Sequence, residues 1–92
     1  MAVVVVPERD VVFAHAGGRD LRCDIYRPAD KRGPLPAAVM LHGGAWRRGS
    51  RTSLQAQAEE LVQYGFVVVA SEYRLTDEAR WPAQIQDVKA AL

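Results

Sequence analysis

Two short stretches, Ala37–Leu41 (AAVML) and residues 66–70 (FVVVA), are apolar at every position. A strand with one wet face alternates, whereas a strand apolar throughout is covered on both faces, the habit of parallel sheets. Between the two, Leu54, Ala58, Leu61 and Val62 recur at helical spacing. Thr52 and Gln55 have the separation of a capping box, and Gly65 stands where a left-handed glycine commonly ends a helix. Strand, helix and strand in this order predict a βαβ unit, which fixes a parallel pair and a right-handed crossover.

Upstream, the β-branched run at residues 3–6 reads as a strand stopped by Pro7, and residues 11–15 as a second apolar run. After Gly17-Gly18, Leu21, Cys23 and Ile25 alternate with Arg22, Asp24 and Tyr26, so the flanking runs predict a β-hairpin. Residues 28–36, with Pro28, Pro34, Pro36 and Gly33, form a surface connection. A second helix is predicted after Pro82, its inner stripe formed by Trp81, Ile85, Val88 and Leu92. Lys89-Ala90-Ala91-Leu92 carries no stop signal, which leads us to expect a piece of something longer. The expected fold is therefore α/β: one partial domain over residues 1–92, about four strands, hairpin beside parallel pair. The expected strand order is hairpin strand one, strand two, residues 66–70, then Ala37–Leu41, with helices on both faces.

Composition narrows the function classes. A net charge of +1 supplies no field for nucleic acid or an anionic membrane. Arg47, Arg48 and Arg51 are the one local basic cluster, without an aromatic platform, so no nucleic-acid partner is expected. The start of the chain is too short an apolar run for a signal or a span, so no membrane partner is expected. With the single cysteine, Cys23, this points to a reducing, cytoplasmic setting. His15 and His42 lack metal-ligand spacing, and neither a metal nor a cofactor is expected.

Chemistry is carried by His42-Gly43-Gly44-Ala45-Trp46, directly after the first buried strand. Glycines at the carboxyl end of a parallel strand let the backbone turn sharply and leave N–H groups unobstructed. Converging N–H donors are what a developing oxyanion needs. A plain glycine turn is the bland alternative, since the triplet alone is weak.

The motif does not stand alone. HGGAW resembles the oxyanion motif of hormone-sensitive-lipase-like and kynurenine-formamidase-like esterases. Glu72-Tyr73-Arg74-Leu75 and the run from Trp81-Pro82-Ala83-Gln84 to Asp87-Val88 are similar to a stretch of the same α/β-hydrolase superfamily, closest to its bacterial feruloyl-esterase-like group. Asp24-Ile25-Tyr26-Arg27-Pro28 resembles its second strand, so the likeness covers nearly the whole chain. The resemblance implies that the backbone N–H groups of Gly44 and Ala45 are oxyanion donors, and that His42, Gly43 and Trp46 shape the loop. Two departures occur: the family's third glycine is Ala45, which keeps its N–H, and its Asp before Tyr-Arg is Glu72.

The family's nucleophile lies on a G-x-S-x-G elbow, with Asp and His later, and no such elbow occurs here. Ser50 lies near the loop without a predicted histidine partner, so loop or cap bonding is expected for it. Ser53 belongs to the first helical turn, Ser71 to a strand end, and Cys23 to the core. Asp87 reads as structural and Trp81 as core. Two functions compete: the N-terminal portion of a carboxylic-ester hydrolase acting on a small ester, or a non-enzymatic self-associating module built from the same fold. Under either, an unpaired edge at Ala37–Leu41 is expected to make a homo-oligomer.

Overall fold

The computed structural model describes residues 4–29 and 34–92. The start of the apolar run at residue 3 and the middle of the connection, 30–33, lie outside the described residues. Strands β1 (Val5–Ala16) and β2 (Arg19–Pro28) form the antiparallel hairpin, turning at Gly17-Gly18. Strand β3 (Ala37–Leu41) is followed by a 3₁₀ turn (Arg51–Leu54), helix α1 (Gln55–Gln63), strand β4 (Val67–Ser71) and helix α2 (Ala83–Ala91). The sheet order is β1-β2-β4-β3, as the sequence predicts. Strand β4 pairs antiparallel with β2 and parallel with β3, in register from Ala37↔Val67 to Leu41↔Ser71.

The core lies where α1 meets the sheet. Leu54, Ala58 and Val62, one helical turn apart, bury against Tyr26, Val68 and Ala70. A fully buried valine there, such as Val62 or Val68, contributes roughly 1.5–3 kcal/mol relative to exposure. Gly65, at φ +91°, ends the helix as the spacing predicts. Its N–H donates to Val62 O at 2.9 Å and that of Phe66 to Leu61 O at 3.4 Å, a Schellman closure.

Four local expectations are corrected. β1 runs through Pro7 instead of stopping there, because β1 is an edge strand, where a missing N–H need not break the sheet. The register instead shifts between Glu8 and Val11, where Asp10 turns to φ +58° and its N–H donates to Asp24 Oδ1 at 3.0 Å. The Thr52–Gln55 capping box does not form. Thr52 Oγ1 lies 2.6 Å from Ser50 Oγ, and a 3₁₀ turn, closed by Ser53 N–H on Ser50 O at 3.2 Å, leads into α1. In β2, Asp24 and Tyr26 are as buried as Leu21 and Cys23, since the strand lies between β1 and β4 and is covered on both faces.

Helix α2 is turned away from its predicted stripe. Its buried residues are Ala83, Gln84 and Asp87, while Trp81 and Leu92 are 63% and 86% exposed. Asp87 decides the face. Its carboxylate accepts from Arg74 N at 2.8 Å, Arg74 Nε at 2.9 Å and Arg74 Nη2 at 2.9 Å. Such charge-assisted, forked bonds are roughly twice as strong as neutral ones, and they turn this face of α2 inward. The same Arg74 guanidinium lies against Gly17 of the hairpin turn, so α2 is tied to the end of β1.

Candidate functional site

The loop leaving β3 is folded tightly upon itself. Gly44 has φ +132°, and a Cβ at that position would run into the carbonyl oxygen of Arg48. Ala45 and Trp46 follow in the left-handed region, at φ +58° and +65°. Gly44 O then accepts from Arg47 N at 3.1 Å and Arg48 N at 3.2 Å, closing the loop. The N–H groups of Gly44 and Ala45 donate to no acceptor among the described residues. Two unsatisfied donors in a backbone conformation that excludes a side chain at Gly44 are available to a ligand oxygen.

Hydrogen bonds and ring contacts hold this loop. His42 is buried, and its Nδ1 lies 2.8 Å from Gly43 O, which can only accept, so the ring carries its proton there. The Tyr73 ring stacks on His42 with centroids 4.4 Å apart, and its hydroxyl donates to His42 O at 2.7 Å. Burial pushes the Tyr73 phenol up from its ordinary value, so it remains a donor at neutral pH. Trp46 meets Tyr73 edge-on at 4.9 Å, while its carbonyl accepts from Thr76 N at 2.8 Å. Trp81 packs against Trp46 at 6.2 Å, so it borders the loop rather than the core, contrary to expectation.

Beyond the loop, Arg51 joins three elements. Its Nε donates to Asp24 Oδ1 at 3.1 Å and its Nη1 to Glu72 Oε2 at 3.3 Å, and Nη2 pairs with Asp10. Glu72 Oε1 in turn accepts from Arg22 N at 2.6 Å and Arg19 Nη1 at 3.0 Å. Tyr73 and Arg51 were both in plain view in the sequence, but Tyr73 reaches His42 through the pairing of β3 with β4, and Arg51 reaches Asp10, Asp24 and Glu72 only when distant strands assemble, which spacing alone does not give.

The remaining candidates have local partners. Ser50 Oγ meets Thr52, Ser53 Oγ donates to Ser50 O at 2.8 Å, and buried Ser71 Oγ donates to Glu72 O at 3.1 Å. His15 pairs with Asp20 on the hairpin and does not approach a serine hydroxyl. Cys23 is buried, and burial, with Asp24 beside it, pushes its thiol up. Among the described residues, no group of histidine, cysteine and carboxylates is placed to hold a metal, and no helix is long and apolar enough to cross a membrane. A hollow of about 250 Å³ lies at the turn His15–Asp20 and another, of about 590 Å³, is lined by Gly44, Ala45, Arg47 and Arg48.

The profile of the BD-FAE family matches residues 23–92, from the middle of β2 through α2. The chain belongs to this family. It is 38% identical over 72 residues to esterase LipC of Mycobacterium tuberculosis, covering 75% of this chain and 18% of that protein. It is 30% identical over 83 residues to kynurenine formamidase of Danio rerio, covering 90% of this chain and 28% of that one. Among solved structures, esterase 2 of Thermogutta terrifontis, phosphorylated by paraoxon, superposes with a TM-score of 0.82 at 29% identity, over 92% of this chain and 34% of the other. The four-stranded mixed sheet is thus part of an α/β-hydrolase esterase fold, and the chain spans about a third or less of these relatives.

Proposed function

We propose that this BD-FAE chain forms the oxyanion-hole side of a carboxylic-ester hydrolase acting on a small ester. Gly44 and Ala45 receive the developing oxyanion on their backbone N–H groups. His42, Gly43 and Trp46, braced by Tyr73, hold the loop in shape. The observation that carries this reading is the pair of unengaged N–H donors at the carboxyl end of β3, in a backbone conformation that a Cβ at Gly44 would destroy. Esterase relatives over most of the chain support it.

Acyl transfer also needs a nucleophile and a base, and among the described residues Ser50, Ser53 and Ser71 bond to local hydroxyl or carbonyl partners rather than to a histidine. The isolated chain is therefore expected to hydrolyse p-nitrophenyl acetate by no more than on the order of 10³ over water, the residue left by an oxyanion hole without its triad. Saturable turnover near one per second, abolished by Ser50→Ala, would overturn this division of labour. A second reading, a self-associating module, is favoured by one observation: β3 is the sheet edge, apolar at every position, with Leu41 exposed.

A further inference from the structure

The arginines among the described residues fall into two groups. Arg9, Arg19, Arg22, Arg27, Arg51 and Arg74 each face a carboxylate. Arg80 has no carboxylate within ion-pair distance among the described residues, and neither do the exposed Arg47 and Arg48. These two line the hollow of about 590 Å³ together with Gly44 and Ala45, and no acidic residue lines it. The loop closure places them there, since both backbone N–H groups are bonded to Gly44 O. Two uncompensated guanidinium groups thus stand within a side chain's reach of two free backbone donors.

From this juxtaposition we infer that the hollow takes an anionic ester, one bearing a carboxylate a few atoms from its ester carbonyl, with Arg47 and Arg48 as the residues that select the charge. Guanidinium forks match a carboxylate's two oxygens. The inference rests on the reading of Gly44 and Ala45 as donors to the ester oxygen. A neutral ester reaches those donors alone, whereas a monoanion engages both sets. At a solvent-exposed site the two arginines together are worth about five-fold in affinity.

The test titrates the isotopically labelled chain with monomethyl succinate and, separately, dimethyl succinate, following the amide signals of Gly44 and Ala45 and the Nε signals of Arg47 and Arg48. Both compounds should move the two amides, with half-saturation at about five-fold lower concentration for the monoester. In 1 M NaCl, where the Debye length falls from about 10 Å at 0.1 M to about 3 Å, that preference should shrink towards unity in the wild-type chain. Arg47→Gln with Arg48→Gln, which keeps the aliphatic stems, should erase it while the diester response stays. Equal half-saturation by both compounds, or a preference untouched by salt, overturns the inference and leaves the oxyanion reading intact. Movement of the arginine signals without the amides also overturns it. If neither compound moves the amides, the oxyanion reading itself fails, and this inference with it.

Discussion

Replacing Arg51 by Met tests the ion network that ties the end of the loop to the hairpin. Arg51 and Asp24 are 13% and 2% exposed at the side chain, while Glu72 is 18% exposed. Removing one partner of a buried pair costs about 3–5 kcal/mol, because the other charge is left without compensation. Two features reduce that here: Asp24 keeps the N–H of Asp10, and Glu72 keeps Arg19. A loss of about 2–3 kcal/mol remains, which for a chain of this size lowers Tm by about 10–20 °C. The assay is thermal unfolding by far-ultraviolet circular dichroism at one fixed protein concentration. A double-mutant cycle with Asp24→Asn, which preserves the acceptor for Asp10, should show a coupling of about 1–2 kcal/mol. Arg51→Lys should recover less than half of the loss, since one ammonium cannot fork to three carboxylates. A loss under about 0.5 kcal/mol, or strict additivity with Asp24→Asn, would refute the argument and make Arg51 an ordinary surface charge.

Two further outcomes are expected. Partial burial pushes the Glu78 carboxyl up, but hydrogen bonds from Arg19 and from Leu75 N–H outweigh it and hold the group below its usual range. A depressed carboxylate contributes stability that is present above its unfolded pKa and is lost as pH falls through the folded one; Tm should therefore drop less between pH 6 and pH 3 in Glu78→Gln than in wild type, and parallel profiles would contradict this. The bare β3 edge predicts self-association at micromolar concentration, read by size-exclusion chromatography with light scattering, with Val39→Lys shifting the population to monomer; a wild-type monomer would remove the second functional reading.

The sheet was legible because its signals are local and apolar. The uninterrupted runs of β3 and β4 and the spacing of Leu54, Ala58 and Val62 give the βαβ unit, and Gly17-Gly18 marks the hairpin. Gly44 was legible as a position that needs glycine, because few backbone conformations require it. What escaped reading is polar and distant in sequence. The face of α2 is chosen by Asp87 bonding Arg74 rather than by Trp81 and Leu92, so apolar periodicity misplaces the helix. Arg51 meets Asp24 and Asp10 only after β1, β2 and the 3₁₀ turn are assembled. Pro7 misled because its effect depends on whether its strand is central or at the edge.

The central claim is that Gly44 and Ala45 stabilise an oxyanion. Its most direct test is turnover by a chimera in which residues 1–92 replace the matched third of Thermogutta terrifontis esterase 2. The chimera should hydrolyse p-nitrophenyl acetate. Gly44→Val should lower kcat by about 10²–10³, the worth of one oxyanion donor, while Ala45→Gly, which keeps its N–H and relieves the left-handed φ, should retain activity. A folded, active chimera whose kcat is unchanged by Gly44→Val would contradict the account.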